Sequence, residues 1–233
     1  MSGRFDLRGP RSRLAWLVLL PLWAATAWAQ PPASPAVQRE LWTAADRGDT
    51  AAMAQALARG AQIDGRDGAG RTALMRATHA GQAPAVRWLL AAGADVNLRD
   101  DRRDNPFLYA GAEGQLEILR LAIAAGANTR LTNRYGGTAL IPAAERGHVE
   151  VVRELLTRTD VDVNHVNRLG WTALLEAIVL SDGGPRHQQI VALLIAHGAD
   201  PNLADSQGVT PLRHARARGF TAIEAMLTEA GAR

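Results

Sequence analysis

Cysteine is absent from this 233-residue chain, and so is lysine. Without cysteine there are no disulfides, no thiolate nucleophile, no Cys-ligated zinc and no iron–sulfur cluster, so stability has to come from packing. The absence suits an oxidising compartment. Every one of the 26 basic residues is Arg. Its planar fork matches carboxylates, although coding bias accounts for its exclusive use equally well. Large aromatics are scarce, with three Phe and two Tyr in a chain that is 47% hydrophobic. Catalytic signatures are also missing: there is no H-E-x-x-H, no G-x-S-x-G and no P-loop. The six His, at 79, 148, 165, 187, 197 and 214, fall in separate parts of the chain. Asp205-Ser206-Gln207-Gly208 lacks the acidic density of a calcium loop. These absences argue for a protein that is not an enzyme and carries no cofactor and no metal.

The one long apolar run, Leu14 to Ala27, is broken by Pro21 and is short for a bilayer span. It follows a positive front of Arg4, Arg8, Arg11 and Arg13 and precedes Ala27-Trp28-Ala29, an A-x-A cleavage pattern before Gln30. Residues 1–29 are therefore expected to be a secretory signal, with a retained anchor as the other reading. No adjacent Arg pair occurs in this front, which weighs against twin-arginine export. The leader holds four of the 26 Arg and one of the 23 acidic residues, leaving 22 of each sign in the mature part. The net charge of +3 is thus a targeting feature and gives no support to nucleic-acid binding. Residues 30–37, with three Pro in eight positions, read as a flexible segment.

From Gln38 onward the chain is modular. A short phrase recurs as Thr72-Ala73-Leu74, Asn105-Pro106-Phe107, Thr138-Ala139-Leu140, Thr172-Ala173-Leu174 and Thr210-Pro211-Leu212, at steps of 33, 33, 34 and 38 residues. Such a period marks stacked helical units. In the clearest unit, Asp67-Gly68-Ala69-Gly70 is a turn and Thr72 is a helix cap. Ala73 to His79 is a first helix ended by Gly81. Pro84 suits the first turn of a second helix, and Val86, Leu89 and Leu90 are its buried stripe. Gly93 closes it. Helices this short are marginal alone, and stacking supplies each with neighbours. Small Ala at the contacts allows close approach and explains an apolar chain with few aromatics.

This text resembles the ankyrin repeat family, in Thr-Ala/Pro-Leu-x-x-Ala, in Gly81, Gly114, Gly147 and Gly219, and in Leu-Leu-x-x-Gly-Ala variants such as Leu89 to Ala94. The resemblance covers nearly all of residues 38–233. It implies an all-α solenoid of stacked helix-turn-helix units with β-turn fingers. Four central repeats span 67–99, 100–132, 133–166 and 167–204, between an amino-terminal cap (38–66) and a carboxy-terminal cap (205–233). It further implies a protein-binding module whose concave surface, made of fingers and first helices, holds another protein.

Departures from the pattern locate the candidate partner-binding residues. Arg103 stands where a turn Gly is expected (compare Gly70, Gly136, Gly170 and Gly208). With Asp100, Asp101, Arg102 and Asp104 it makes either a rearranged turn held by local Arg–Asp pairs or a recognition tip. Trp171 is expected to project from a finger, as an interface anchor or packed on Tyr135 or Leu169. Arg102, Arg103, Arg134, Tyr135, Arg168 and Trp171 are the candidate set. The fourth repeat carries about five extra residues centred on Ser181–Pro185, expected as a loop between its helices and not as a longer helix. Pro142, four residues after Thr138, is expected to distort its helix only locally.

The resulting expectation is a monomeric, periplasmic or secreted binder of another protein, away from nucleic acid and, after signal cleavage, from membrane. The resemblance links some exported relatives to oxidative-stress physiology. A structural scaffold in an envelope or transport complex, a small-ligand binder and a secreted effector are the alternatives.

Overall fold

The structure, a computed structural model, describes residues 34–233. The expected signal lies outside the described residues. Among them the chain forms twelve helices and no strand. They come in pairs: α1 (Pro35–Arg47) with α2 (Thr50–Ala58), α3 (Ala73–His79) with α4 (Ala83–Ala91), and α5 (Pro106–Ala112) with α6 (Leu116–Ala124). The remaining pairs are α7 (Leu140–Glu145) with α8 (Val149–Arg158), α9 (Ala173–Val179) with α10 (Pro185–Ala196), and α11 (Pro211–Ala217) with α12 (Thr221–Glu229). Odd-numbered helices pack in one inner row and even-numbered helices in an outer row, so the fold is the expected all-α solenoid.

The core runs without a break along this stack. Its inner seam is one large residue from each phrase: Leu74, Phe107, Leu140, Leu174 and Leu212, all buried. Leu89, Leu119, Leu155, Leu194 and Leu227 from the outer row close over it. Burying one such side chain contributes about 1.5–3 kcal/mol, so each unit's stability rests on the flanks its neighbours cover. Gly111 marks a close approach of α5 to the start of α7, since a Cβ there would lie 2.9 Å from the Ala139 Cβ.

Every inner helix except α7 starts on a side-chain cap. The Met75 N–H donates to Thr72 Oγ1 at 3.2 Å, the Leu108 N–H to Asn105 Oδ1 at 2.9 Å and the Leu175 N–H to Thr172 Oγ1 at 3.2 Å. The third repeat differs. Pro142 has no N–H to return to the Thr138 carbonyl, α7 begins only at Leu140, and Thr138 caps nothing. Its hydroxyl is buried without a partner.

The fingers repeat one hydrogen-bonded device. Asp67, Asp100, Asn133, Asn167 and Asp205 each accept, through one side-chain oxygen, the N–H groups two and four residues ahead at 2.9–3.1 Å. Neighbouring fingers are then tied together. Arg66 donates to the Arg99 carbonyl at 2.6 Å, Arg99 to the Thr132 carbonyl, and Arg168 to the Arg134 carbonyl at 3.2 Å. On the opposite exit, the Asn128 N–H donates to Asn97 and the Asp200 N–H to Asn164.

Three expectations are corrected. Residues Pro35 to Val37 are helical, because Ser34 caps α1 and Pro35 fits its first turn. The second turn is not rearranged by Arg–Asp pairing: Arg103 takes the left-handed conformation (φ 65°) that Gly70, Gly136, Gly170 and Gly208 take in the other fingers. Asp100 accepts the Arg102 and Asp104 N–H groups there, and the Arg103 carbonyl accepts from Arg99. The insertion does lengthen a helix. Pro185 opens α10, which has 12 residues against 9 in α4, 9 in α6 and 10 in α8. Only part of the insertion becomes loop, and that loop is held by Arg218 donating to the Ser181 carbonyl at 2.7 Å.

Arg103 is the only non-glycine residue with positive φ among those described. Replacing it with Gly is expected to stabilise the fold by about 1 kcal/mol and raise Tm by about 2–4 °C. Thermal denaturation of Arg103→Gly against the parent checks this; an unchanged or lower Tm would contradict it.

Candidate functional site

Where fingers and inner helices meet, repeats two to four, with His79 of the first, line an open groove of about 390 Å³. Its floor comes from α7 and α9 through Ile141, Pro142, Glu145 and Glu176. One wall is formed by fingertips through Arg134, Tyr135 and Leu169, and the far end by His79 and Tyr109, whose rings stack at 3.9 Å. Three large apolar side chains stand in this groove half exposed: Tyr135 at 50%, Leu169 at 55% and Leu180 at 48%.

The six candidate residues divide here. Arg102, Arg134 and Tyr135 line the groove together. The Arg134 guanidinium sits over the Tyr135 ring, 4.5 Å from its centroid, and 4.0 Å from Asp104. Arg103, Arg168 and Trp171 are not in its lining. Arg168 bonds the neighbouring finger instead, its N–H donating to the Tyr135 carbonyl at 2.9 Å. Trp171 is partly buried, with its N–H tied to Asn167.

Leu169, Leu180, Glu145 and Glu176 escaped the sequence reading as site residues. One signal could have found Glu176. The fingertip acid or amide and the helix residue nine positions later form a recurring pair. Arg76 donates to Asp67 at 2.8 Å, His214 meets Asp205 at 2.7 Å, and Asn167 donates to Glu176 at 2.8 Å. Listing the chain by its period brings those pairs into one column, and the fourth repeat is the one with inverted polarity.

The electrostatics of the pairs differ accordingly. Burial pushes the Asp67 carboxyl up, but the N–H groups of Arg71 and Ala69 and the guanidinium groups of Arg71 and Arg76 outweigh it and hold it at about 2. Glu176, 5% exposed, has no such cation. Burial, then repulsion by Glu145, pushes it up to about 7, and the Asn167 hydrogen bond offsets only part of that. His79 is pushed down, first by burial and then by Arg71. No group of three or more metal-ligating side chains occurs among the described residues. The arrangement can hold a partner's side chain; it offers no nucleophile–base pair.

A groove set between the fingers and inner helices of a repeat solenoid defines a binding scaffold. The profile described as "Ankyrin repeats (3 copies)" matches residues 38–100 and 107–205. The chain belongs to the ankyrin repeat family, and is a non-enzymatic protein–protein interaction module. It is similar to an ankyrin repeat domain from Acinetobacter baumannii AYE, with 56% identity, TM-score 0.80, and coverage of 83% of this chain and 98% of that one. It is also similar to another solved ankyrin repeat protein, with 38% identity, TM-score 0.78, and coverage of 82% and 96%. Putative ankyrin repeat protein YahD of Escherichia coli K12 is 57% identical over 81 residues, 35% of this chain and 40% of that protein. The matched segment thus spans less than half of this curated relative.

Glu176→Gln should separate the groove's charge from its shape. The folded carboxyl titrates above its ordinary value of 4.5. Its protonated form therefore favours the fold fully below about 4.5, and that advantage is lost as pH rises through about 7. The variant, neutral throughout, is expected to match the parent near pH 4.5 and to exceed it by about 3 kcal/mol at pH 8. Urea denaturation at both pH values checks this; a constant difference between the two proteins would refute the buried charge.

Proposed function

We propose that the groove of repeats two to four is the surface on which this module holds its partner, and that the partner is an exported protein. The exposed apolar trio Tyr135, Leu169 and Leu180 carries the first half of this reading. Large half-exposed side chains beside a mixed charged rim are the ingredients of an interface centre, where aromatic anchors supply most of the binding energy. Tyr135 fills that role with Arg134 stacked over it. Trp171 is partly buried and outside the lining, so it takes no part in this surface.

The second half rests on the leader. Arg4, Arg8, Arg11 and Arg13, the apolar run to Ala27, and Ala27-Trp28-Ala29 direct the chain to export, with Gln30 as the mature start. The cysteine-free composition suits the periplasm as destination.

Two measurements test this. In crosslinked pull-downs from the native envelope fraction, Tyr135→Ala with Leu169→Ala is expected to lower capture of one stoichiometric protein roughly tenfold or more. Tm should barely move, and Trp171→Ala should retain capture. Equal capture by the double variant would remove the groove as the interface. N-terminal sequencing of the protein from the periplasmic fraction is expected to begin at Gln30; an intact Met1 in the cytosol would refute export.

A further inference from the structure

Two ion pairs close within the groove, whereas among the described residues Arg102 and the two floor carboxylates that line it enter none. Arg146 donates to Glu113 at 2.6 Å, and Arg134 lies 4.0 Å from Asp104. Glu145 on α7 and Glu176 on α9 line the same floor, and the charge of Glu145 disfavours ionisation of Glu176. Neither has an ion pair among the described residues. Two other units of the stack show what a charged group at this register has. In the first central repeat the inner helix supplies Arg76 to the fingertip carboxylate of Asp67, and in the carboxy-terminal cap it supplies His214 to that of Asp205. In the fourth repeat the fingertip is neutral Asn167 and the helix residue is the acid, so the carboxylate is present and the cation is not.

The walls specify what surrounds a cation seated on this floor. Leu169 on the fingertip and Leu180 on the loop after α9 line the same end of the groove as Glu176, and Tyr135 stands on the next finger. Two carboxylates line this floor, and no group of three or more metal-ligating side chains occurs among the described residues, which favours an organic cation over a metal ion. We infer that the Glu145–Glu176 floor seats the guanidinium or ammonium of an Arg or Lys carried between apolar residues in an extended partner segment. Those apolar residues pack on Leu169, Leu180 and Tyr135. This rests on the reading of the groove as the partner surface and names the chemistry of its occupant.

A displayed library of random dodecapeptides, selected on the full chain, is the probe. Selection runs in parallel on the parent, on Glu145→Gln with Glu176→Gln, and on Tyr135→Ala with Leu169→Ala, after thermal denaturation has shown all three to be folded. The expected result is an apolar–basic–apolar consensus on the parent. Its synthetic peptide should bind the charge-neutral variant at least tenfold more weakly and should lose binding to the apolar variant. A consensus without a basic residue, or one that binds the charge-neutral variant equally well, overturns the inference while leaving the groove as the partner surface. Peptides that ignore the Tyr135 and Leu169 truncations, or a selection that yields none dependent on them, overturn both.

Discussion

A seven-residue helix with one apolar side has no stable existence in water, and nearly every inner helix of this chain is that short. Each persists because the helix before and the helix after cover its flanks, in the same register. That register is maintained at two levels. Leu74, Phe107, Leu140, Leu174 and Leu212 form the apolar seam, and the backbone is locked at the same period by finger Arg side chains that donate to carbonyls one repeat away and by exit Asn side chains that bond backbone N–H and C=O groups of the next repeat. The seam provides most of the free energy. The fingertip bonds fix how each unit faces the next, and hence where finger side chains stand relative to the inner helices.

The regular parts of this structure are local, and so they were legible in the residue order. Thr72 predicts a cap and Gly81 a stop, and α3 spans Ala73–His79 between them. Errors arose where one local rule met a second. Three Pro in residues 30–37 argue for an open chain, yet Pro35 at the first turn behind Ser34 is a favourable helix start. Ser181–Pro185 has loop composition, but the same Pro begins α10. Arg103 was recognised as a glycine position, and the expected compensation was ionic. The Asp100 side chain accepting backbone N–H groups tolerates the strained residue without any rearrangement.

The groove was only half legible for a different reason. Arg102, Arg134 and Tyr135 are conspicuous because charged and aromatic residues at fingertips stand out in the sequence. Leu169 and Leu180 look like ordinary core residues, and only the fold shows them half exposed. Glu176 reads as a solvated helix residue. Its meaning depends on Asn167, nine positions earlier, and on Glu145 in another repeat. Trp171 drew attention by residue type, while the fold leaves it partly buried and outside the groove's lining.

A repeat protein carries its own internal comparison, and this gives the groove its explanation. Positions at which all repeats agree serve the stack; positions at which they differ decide the surface. Two such variable positions flank the groove. On the finger, the residue before the cap is Arg71, Asp104, Gly137, Trp171 or Val209, and on the inner helix, the residue four past the cap is Arg76, Tyr109, Pro142, Glu176 or His214. The third repeat has a residue without a side chain at the first position and a short ring with no polar group at the second. Both Gly137 and Pro142 line the groove. Because they project so little, a hollow opens between Tyr109 and Glu176, with no helix displaced beyond the shortened start of α7. The hollow is therefore a consequence of two small residues in one repeat, set into a register that the other repeats hold fixed.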